Sequence, residues 1–268
     1  MQKTTPIFLS VIVPVYKKEK TILHNLQQII SELEKTPYSF ELIPVVDGSN
    51  LDGSLQEIKK IKDKRIKALS YPENRGKGFA IRYGMRSAIG EVVTFIDSGM
   101  DIDPQSLVML LEHMKWYEAD IIVGSKLHSA SLVNYPGWRR ILTYIYYLFV
   151  KIFFGLRIRD TQTGLKAYKR HVLEKVLPRL LVKQFAFDIE ILAVANHLGF
   201  KKIYDAPVKV NLDFSETTIN FFGRNGVLFI FIDTLAIWYR LNILRYYDNG
   251  YKKSRKYDDV LEMYVNTP

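Results

Sequence analysis

Three carboxylates fall within seven residues at Asp97-Ser98-Gly99-Met100-Asp101-Ile102-Asp103, just after an apolar run. Oxygen ligands grouped in this way suit a hard divalent ion such as Mg²⁺ or Mn²⁺. Such an ion would neutralise a diphosphate and help it leave. The competing use is helix entry, because Asp101 and Asp103 stand just before Pro104. Metal binding fits Asp97 best and helix entry fits Asp103, with Asp101 open to either. A second cluster, Gly76-Lys77-Gly78, resembles a phosphate loop but matches neither G-x-x-x-x-G-K-[ST] nor G-x-G-x-x-G. With Arg75 and Lys77 at a helix start it could attract an anion, or be a turn with ordinary surface cations. His24, His113, His128, His171 and His197 form no ligand-spaced pair, and Ser98, Ser125 and Ser129 lack a hydrolase elbow.

These clusters need elements to hold them. Apolar runs predict strands at residues 7–13, 40–46, 66–70, 92–96 and 120–123. Helical spacing predicts helices at 21–33, 51–61, 77–88 and 104–116. Short, two-sided apolar strands alternating with helices imply a mostly parallel sheet flanked by helices, an α/β fold. Ligands of such sheets bind beyond the strands' carboxyl ends. The polar clusters lie there: 16–19, 47–49, 74–78 and 97–103. Further on, the pattern predicts an aromatic helix at 138–156, a polar turn region at 157–168 and a helix at 185–198. One or two short strands follow at 201–210, then a last helix at 226–244 and a charged tail from 246. The expected division is residues 1–225 as the main domain and 226–268 as a C-terminal helix and tail, packed on it or on a membrane surface.

The 268 residues carry 38 Lys+Arg against 28 Asp+Glu, a formal charge of +10, and no cysteine. The missing cysteine excludes disulfides, thiolate metal sites and a cysteine nucleophile, and fits the cytoplasm. The charge points to an anionic partner. No nucleic-acid-binding motif accompanies it, so no nucleic acid is expected. The N-terminal apolar run is interrupted by Ser10 and Pro14 and followed by Lys17-Lys18-Glu19-Lys20, which fits a first strand better than a leader. The two most apolar later stretches are short: sixteen helical residues reach about 24 Å, less than the roughly 30 Å bilayer core. Either could lie on a membrane surface or be a core helix.

Taken in order, the motifs resemble the family 2 glycosyltransferases of GT-A fold, above all the dolichyl- and polyprenyl-phosphate sugar synthases. The likeness runs from about Leu9 to Phe222. Val11-Ile12-Val13-Pro14-Val15-Tyr16 resembles the opening motif, with Lys17-Lys18 where Asn-Glu is usual and Glu19 following. Asp47-Gly48-Ser49 resembles the Asp-Asp-Gly-Ser motif, with Val46 for its first aspartate. Asn74-Arg75-Gly76-Lys77-Gly78 resembles the Asn-x-Gly-Lys-Gly helix start. Asp97 opens the place of an Asp-x-Asp metal motif whose second aspartate is here Gly99. Ser125-Lys126 stands for a Ser-Arg pair. Residues 160–167 and Phe187-Asp188-Ile189-Glu190 resemble the remaining segments.

The resemblance implies an inverting transfer from a UDP- or GDP-sugar, with Mg²⁺ or Mn²⁺ on Asp97 and Asp101. Pro14, Tyr16, Glu19, Asp47, Gly48, Ser49, Gly76, Lys77, Asp97 and Ser98 would bind the nucleotide sugar. Lys126, Arg139, Arg140 and Thr143 would grip an acceptor phosphate, and Asp97, Lys126, Arg139 and Asp188 would be catalytic. The expected acceptor is a lipid phosphate, with the enzyme peripheral on the cytoplasmic membrane face and C-terminal aromatic helices at the interface. A glycan or other hydroxyl acceptor, with Asp188 or Asp160 as base, and a non-catalytic nucleotide-sugar-binding relative are the other readings.

Overall fold

A computed structural model describes residues 6–133, 137–211, 227–248 and 255–266. A seven-stranded sheet forms the centre. In chain order its strands are β1 (Leu9–Val15), β2 (Phe40–Asp47), β3 (Leu69–Tyr71), β4 (Val92–Ile96), β5 (Ile121–Ser125), β6 (Leu165–Lys169) and β7 (Ile203–Pro207). Their spatial order is β3-β2-β1-β4-β6-β5-β7, and only β6 runs antiparallel to its neighbours. The expected mostly parallel α/β sheet is present.

Side chains alternate across the strands. Leu9, Val11, Val13 and Val15 of β1 join a core with Ile22, Leu26, Ile29 and Leu33 of α1 (Ile22–Leu33) and Leu107, Leu110 and Leu111 of α4 (Gln105–Trp116). Ile12 faces the other way, into a core shared with α3 (Lys77–Ser87), α5 (Gly137–Phe154), α6 (Arg170–Val176) and α7 (Phe187–His197). A short helix α2 (Ser54–Lys59) follows β2; it is shorter than the apolar spacing predicts. Ser10, the polar break in β1, is buried and engaged: its hydroxyl donates to Glu41 Oε1 (2.6 Å) and accepts from the Gly90 N–H (2.8 Å).

Two findings differ from the sequence expectation. Part of the polar turn region is strand β6, inserted between β4 and β5 with Lys166 opposite Phe95 and Val123. The described part of the charged tail is also ordered structure. After α8 (Val227–Asn242) come strands β8 (Arg255–Asp258) and β9 (Met263–Asn266), which pair as a hairpin. The hairpin buries Leu261 and Asn266, and the Asn266 amide donates to the Tyr246 carbonyl (3.1 Å). The adjoining Tyr247 is fully buried, with its hydroxyl on Glu190 Oε1 (2.7 Å). Packing rather than charge sets the fate of this segment.

Helices α5 and α8 lie against each other through Tyr146–Phe231 and Phe149–Phe231 ring contacts and a Tyr146–Thr234 hydroxyl bond (2.9 Å). Their outer faces expose Ile141, Tyr144, Ile145 and Ile152, and Phe229, Ile232, Leu235 and Tyr239. Among the described residues no helix is long and apolar enough to cross a membrane.

If the hairpin contributes to the main core, Leu261→Ala will cost about 2–5 kcal/mol of stability, as buried leucine truncations do. Urea denaturation measures this; a loss below about 0.5 kcal/mol, the size of a surface change, would show that the segment is only loosely attached.

Candidate active site

The carboxyl ends of β1, β2, β4 and β5 share one edge of the sheet, and the amino end of β6 meets them there, because Leu165 pairs with Ile96. Asp97 therefore lands beside the turn that precedes β6. Its backbone N–H donates to the Gly164 carbonyl (3.1 Å). A Cβ on Gly164 would lie only 1.9 Å from Asp97 Oδ2, so only glycine leaves room for the carboxylate.

Asp97 faces Lys77, the first residue of α3. The ammonium lies 2.9 Å from each carboxylate oxygen. Burial works against the charge on Lys77, but Asp97, Asp188 and Asp101 outweigh it and raise the ammonium above its ordinary value. The turn before α3 is held from below by Asp47. Asp47 is buried and accepts the Arg75 N–H (2.6 Å), the Gly76 N–H (2.9 Å) and the Asn74 amide (3.2 Å). Gly76 has φ 97°, a left-handed conformation that favours glycine. Asp47 thus braces the Asn-x-Gly-Lys turn. The Arg75 guanidinium lies over the Phe79 ring (5.0 Å) and the Tyr71 ring (5.9 Å).

Burial and the neighbouring Asp97 charge raise the Asp101 carboxyl above its ordinary value, while Lys126, Lys18 and Lys77 pull it down. Of these lysines, Lys77 also pairs directly with Asp97. Asp103 has the other role expected of this loop: it accepts the Gln105 N–H (3.0 Å) at the start of α4 and pairs with Lys209 (2.7 Å). No group of three or more His, Cys, Asp or Glu that could hold a metal occurs among the described residues. Two carboxylates still fit Mg²⁺ or Mn²⁺, which commonly takes one or two protein carboxylates and completes its shell with water and substrate phosphate.

Asp188 stands behind this layer, only 2% exposed. Its Oδ1 accepts a hydrogen bond from Lys166 Nζ (2.5 Å), which also donates to the Thr163 carbonyl (2.6 Å). Burial pulls the Lys166 ammonium below its ordinary value, against the attraction of Asp188. The pair ties α7 to β6 and to the turn that carries Gly164. Asp188, expected among the catalytic residues, is buried and paired with Lys166. Asp160 supports the neighbouring strand end: Oδ2 accepts the Lys126 N–H (3.1 Å). Gln162 reaches across to the Tyr146 hydroxyl of α5 (3.2 Å).

The remaining expected residues fall as follows. Pro14 is buried within β1 opposite Val45, whereas Tyr16 is exposed at its end, with Lys17 over its ring (5.5 Å). Glu19 accepts the Gly53 N–H (3.1 Å). Gly48 has φ 86°, and the Ser49 N–H donates to the Tyr71 carbonyl (2.9 Å), so both shape the turn after β2. Ser98 is buried, its carbonyl on the Asn25 amide (2.8 Å). Arg139, Arg140 and Thr143 lie in the first two turns of α5; the side chains of Arg139 and Arg140 lie outside the described residues. Lys18 and Lys166 were missed by sequence reasoning. Lys18 stands where the resembled motif has an acid. Lys166 is flanked by apolar residues in Gly-Leu-Lys-Ala-Tyr, a pattern that could have signalled a buried cation.

The family model described as glycosyl transferase family 2 matches residues 10–177, well over half of the chain. The chain belongs to this family. Among its relatives are the dolichyl-phosphate beta-glucosyltransferases of Drosophila melanogaster, 32% identical over 74% of this chain and 65% of that one, and of Homo sapiens, 31% over 76% and 66%. The chain spans about two thirds of the length of these curated relatives. Solved structures of similar fold include glucosyl-3-phosphoglycerate synthase from Mycobacterium tuberculosis, crystallised with Mn²⁺, uridine diphosphate and glucosyl-3-phosphoglycerate. It is 17% identical, covers 98% of this chain and 88% of its own, and has a TM-score of 0.59. Mannosyl-3-phosphoglycerate synthase from Rubrobacter xylanophilus is 13% identical over 92% and 75%, also with a TM-score of 0.59. The fold is therefore the GT-A fold of such glycosyltransferases.

Gly164→Ala tests how Asp97 is held. Its crystal structure is expected to show Asp97 turned away and no longer within ion-pair distance of Lys77. An unchanged Lys77–Asp97 pair would mean that the turn yields instead.

Proposed function

We propose that the protein is an inverting glycosyltransferase that moves a sugar from a UDP- or GDP-sugar to a polyprenyl phosphate. Its similarity to dolichyl-phosphate beta-glucosyltransferases makes glucose the first sugar to try. The observation that carries the choice of acceptor is the state of the candidate bases. A hydroxyl acceptor would need a carboxylate to take its proton. Asp188 and Asp160 are each 2% exposed and already engaged, one by Lys166 and the other by the Lys126 N–H. A phosphate monoester needs no base, because it already carries about −1.5 to −2 charges at pH 7. What it needs is cations that hold it in line for attack on the anomeric carbon. Lys126 stands at the end of β5, and Arg139, Arg140 and Thr143 follow on α5.

On the donor side, Tyr16, Glu19, Asp47, Gly48 and Ser49 lie at the edge where base and ribose would rest. Gly76, Lys77 and Ser98 frame the diphosphate position. Asp97 and Asp101 would hold Mg²⁺ or Mn²⁺, which when bound supplies Lewis-acid stabilisation of the leaving diphosphate. Lys77 and Lys18 add fixed positive charge where negative charge develops.

The exposed apolar faces of α5 and α8 support a peripheral position on the cytoplasmic membrane face. Burying such a face in the interfacial region would present the first turn of α5 to a lipid phosphate. The +10 charge suits an anionic leaflet.

The experiment is transfer of labelled sugar from a panel of UDP- and GDP-sugars to polyprenyl phosphate, with polyprenol as control. Turnover with the phosphate alone is expected, and Lys126→Ala should lower it by about 10²-fold through loss of one charge-assisted contact. Transfer to polyprenol at an equal rate would contradict the phosphate acceptor. No transfer from any donor would favour a non-catalytic binding role.

A further inference from the structure

We propose that Lys77 is the resident counter-cation of Asp97 and yields that carboxylate to a divalent ion only when a nucleoside diphosphate takes the ammonium in exchange. The proposal rests on the nucleotide-sugar reading of the site and adds an order of events to it.

Three observations carry it. First, Lys77 Nζ is 2.9 Å from both oxygens of Asp97, so it occupies the position between them that a bidentate metal would take. Second, cations already act on these carboxylates. Lys77 pairs with Asp97, and Lys126, Lys18 and Lys77 act electrostatically on Asp101. Gly99, in the place of a further acid, adds no negative charge. A diphosphate would bring negative charge of its own to hold the Lys77 ammonium. Third, the backbone of Lys77 is fixed while its head can move. A Cβ on Gly76 would meet the Lys183 carbonyl at 2.6 Å, and one on Gly78 would meet Phe187 Cβ at 2.5 Å, so α3 begins wedged against the α7 region. The Lys77 side chain is 21% exposed, and its four-carbon stem can carry the ammonium from Asp97 to a neighbouring phosphate.

Linkage then requires metal and nucleotide to tighten each other. Lys77 would be a positioning residue in the ligand-free protein and a diphosphate contact in the complex.

Mn²⁺ binding to the full chain, followed by electron paramagnetic resonance and calorimetry, tests this without any turnover. Wild-type protein is expected to bind Mn²⁺ weakly alone and at least about fivefold more tightly with saturating uridine or guanosine diphosphate, within the usual range of coupling. Lys77→Met is expected to tighten Mn²⁺ alone by at least about fivefold and to shrink the coupling. Lys77→Arg, which keeps a cation, is expected to stay near wild type. Asp97→Asn should abolish Mn²⁺ binding in both conditions. Circular dichroism melting confirms that each variant is folded. The proposal is overturned if Lys77→Met, still binding Mn²⁺ with nucleotide, leaves Mn²⁺ alone unchanged or weaker. If folded wild type binds neither diphosphate with Mn²⁺ present, the nucleotide-sugar reading itself fails and this proposal falls with it.

Discussion

Asp97 can sit at its strand end only because residue 164 has no side chain. A single methyl group there would collide with the carboxylate, since the Gly164 Cβ direction ends 1.9 Å from Oδ2. This close approach exists because β6 runs antiparallel between β4 and β5 and begins where β4 ends. One reversed strand in an otherwise parallel sheet therefore brings a turn to the edge where parallel strands alone would offer only their own carboxyl ends. That turn carries Asp160, which braces Lys126, and Gln162, which touches α5.

The turn is in turn anchored by charge buried beneath it. Lys166 and Asp188 are almost wholly shielded from water and satisfy each other, with the Thr163 carbonyl taking a second ammonium proton. Losing one partner of such a pair typically costs about 3–5 kcal/mol, because the other charge is left stranded. Two residues along α7, Glu190 is anchored by the Leu181 and Val182 N–H groups and the Tyr247 hydroxyl. Burial raises its carboxyl above the ordinary value, and those hydrogen bonds oppose the shift. Helix α7, buried on every side, thus carries two acids that lock the back of the site to β6 and to the C-terminal segment. Above them lies a partly exposed layer, Lys77, Asp97 and Asp101, in which Lys77 and Asp97 pair.

Much of this was legible in the residues, for a physical reason. Five short strands apolar on both faces, four of them followed by a polar cluster, admit few arrangements other than a covered, mostly parallel sheet. The site edge follows from that. What was not legible depends on distant partners. In Leu165-Lys166-Ala167-Tyr168-Lys169 the apolar flanks of Lys166 hint at burial, but its partner Asp188 stands on another element and cannot be read from the segment. Asp47 looks like a ligand-binding acid from its motif alone. Its bonds to three groups of the 74–76 turn appear only once β2 and α3 are adjacent. The hairpin after α8 was hidden by Arg255, Lys256, Asp258 and Asp259, since pairing buries only Leu261 and Asn266 fully.

The proposed exchange of cations on Asp97 makes one structural demand: the carboxylate must release Lys77 and take the ion without moving its backbone. The most direct measurement is a crystal structure of the protein soaked with Mn²⁺ and uridine or guanosine diphosphate, with the ion located by anomalous scattering. The expected result is Mn²⁺ on Asp97 and Asp101, Lys77 on the diphosphate, and the Gly164 turn unchanged. A nucleotide bound at this edge with Lys77 still paired to Asp97, and the ion elsewhere, would contradict it.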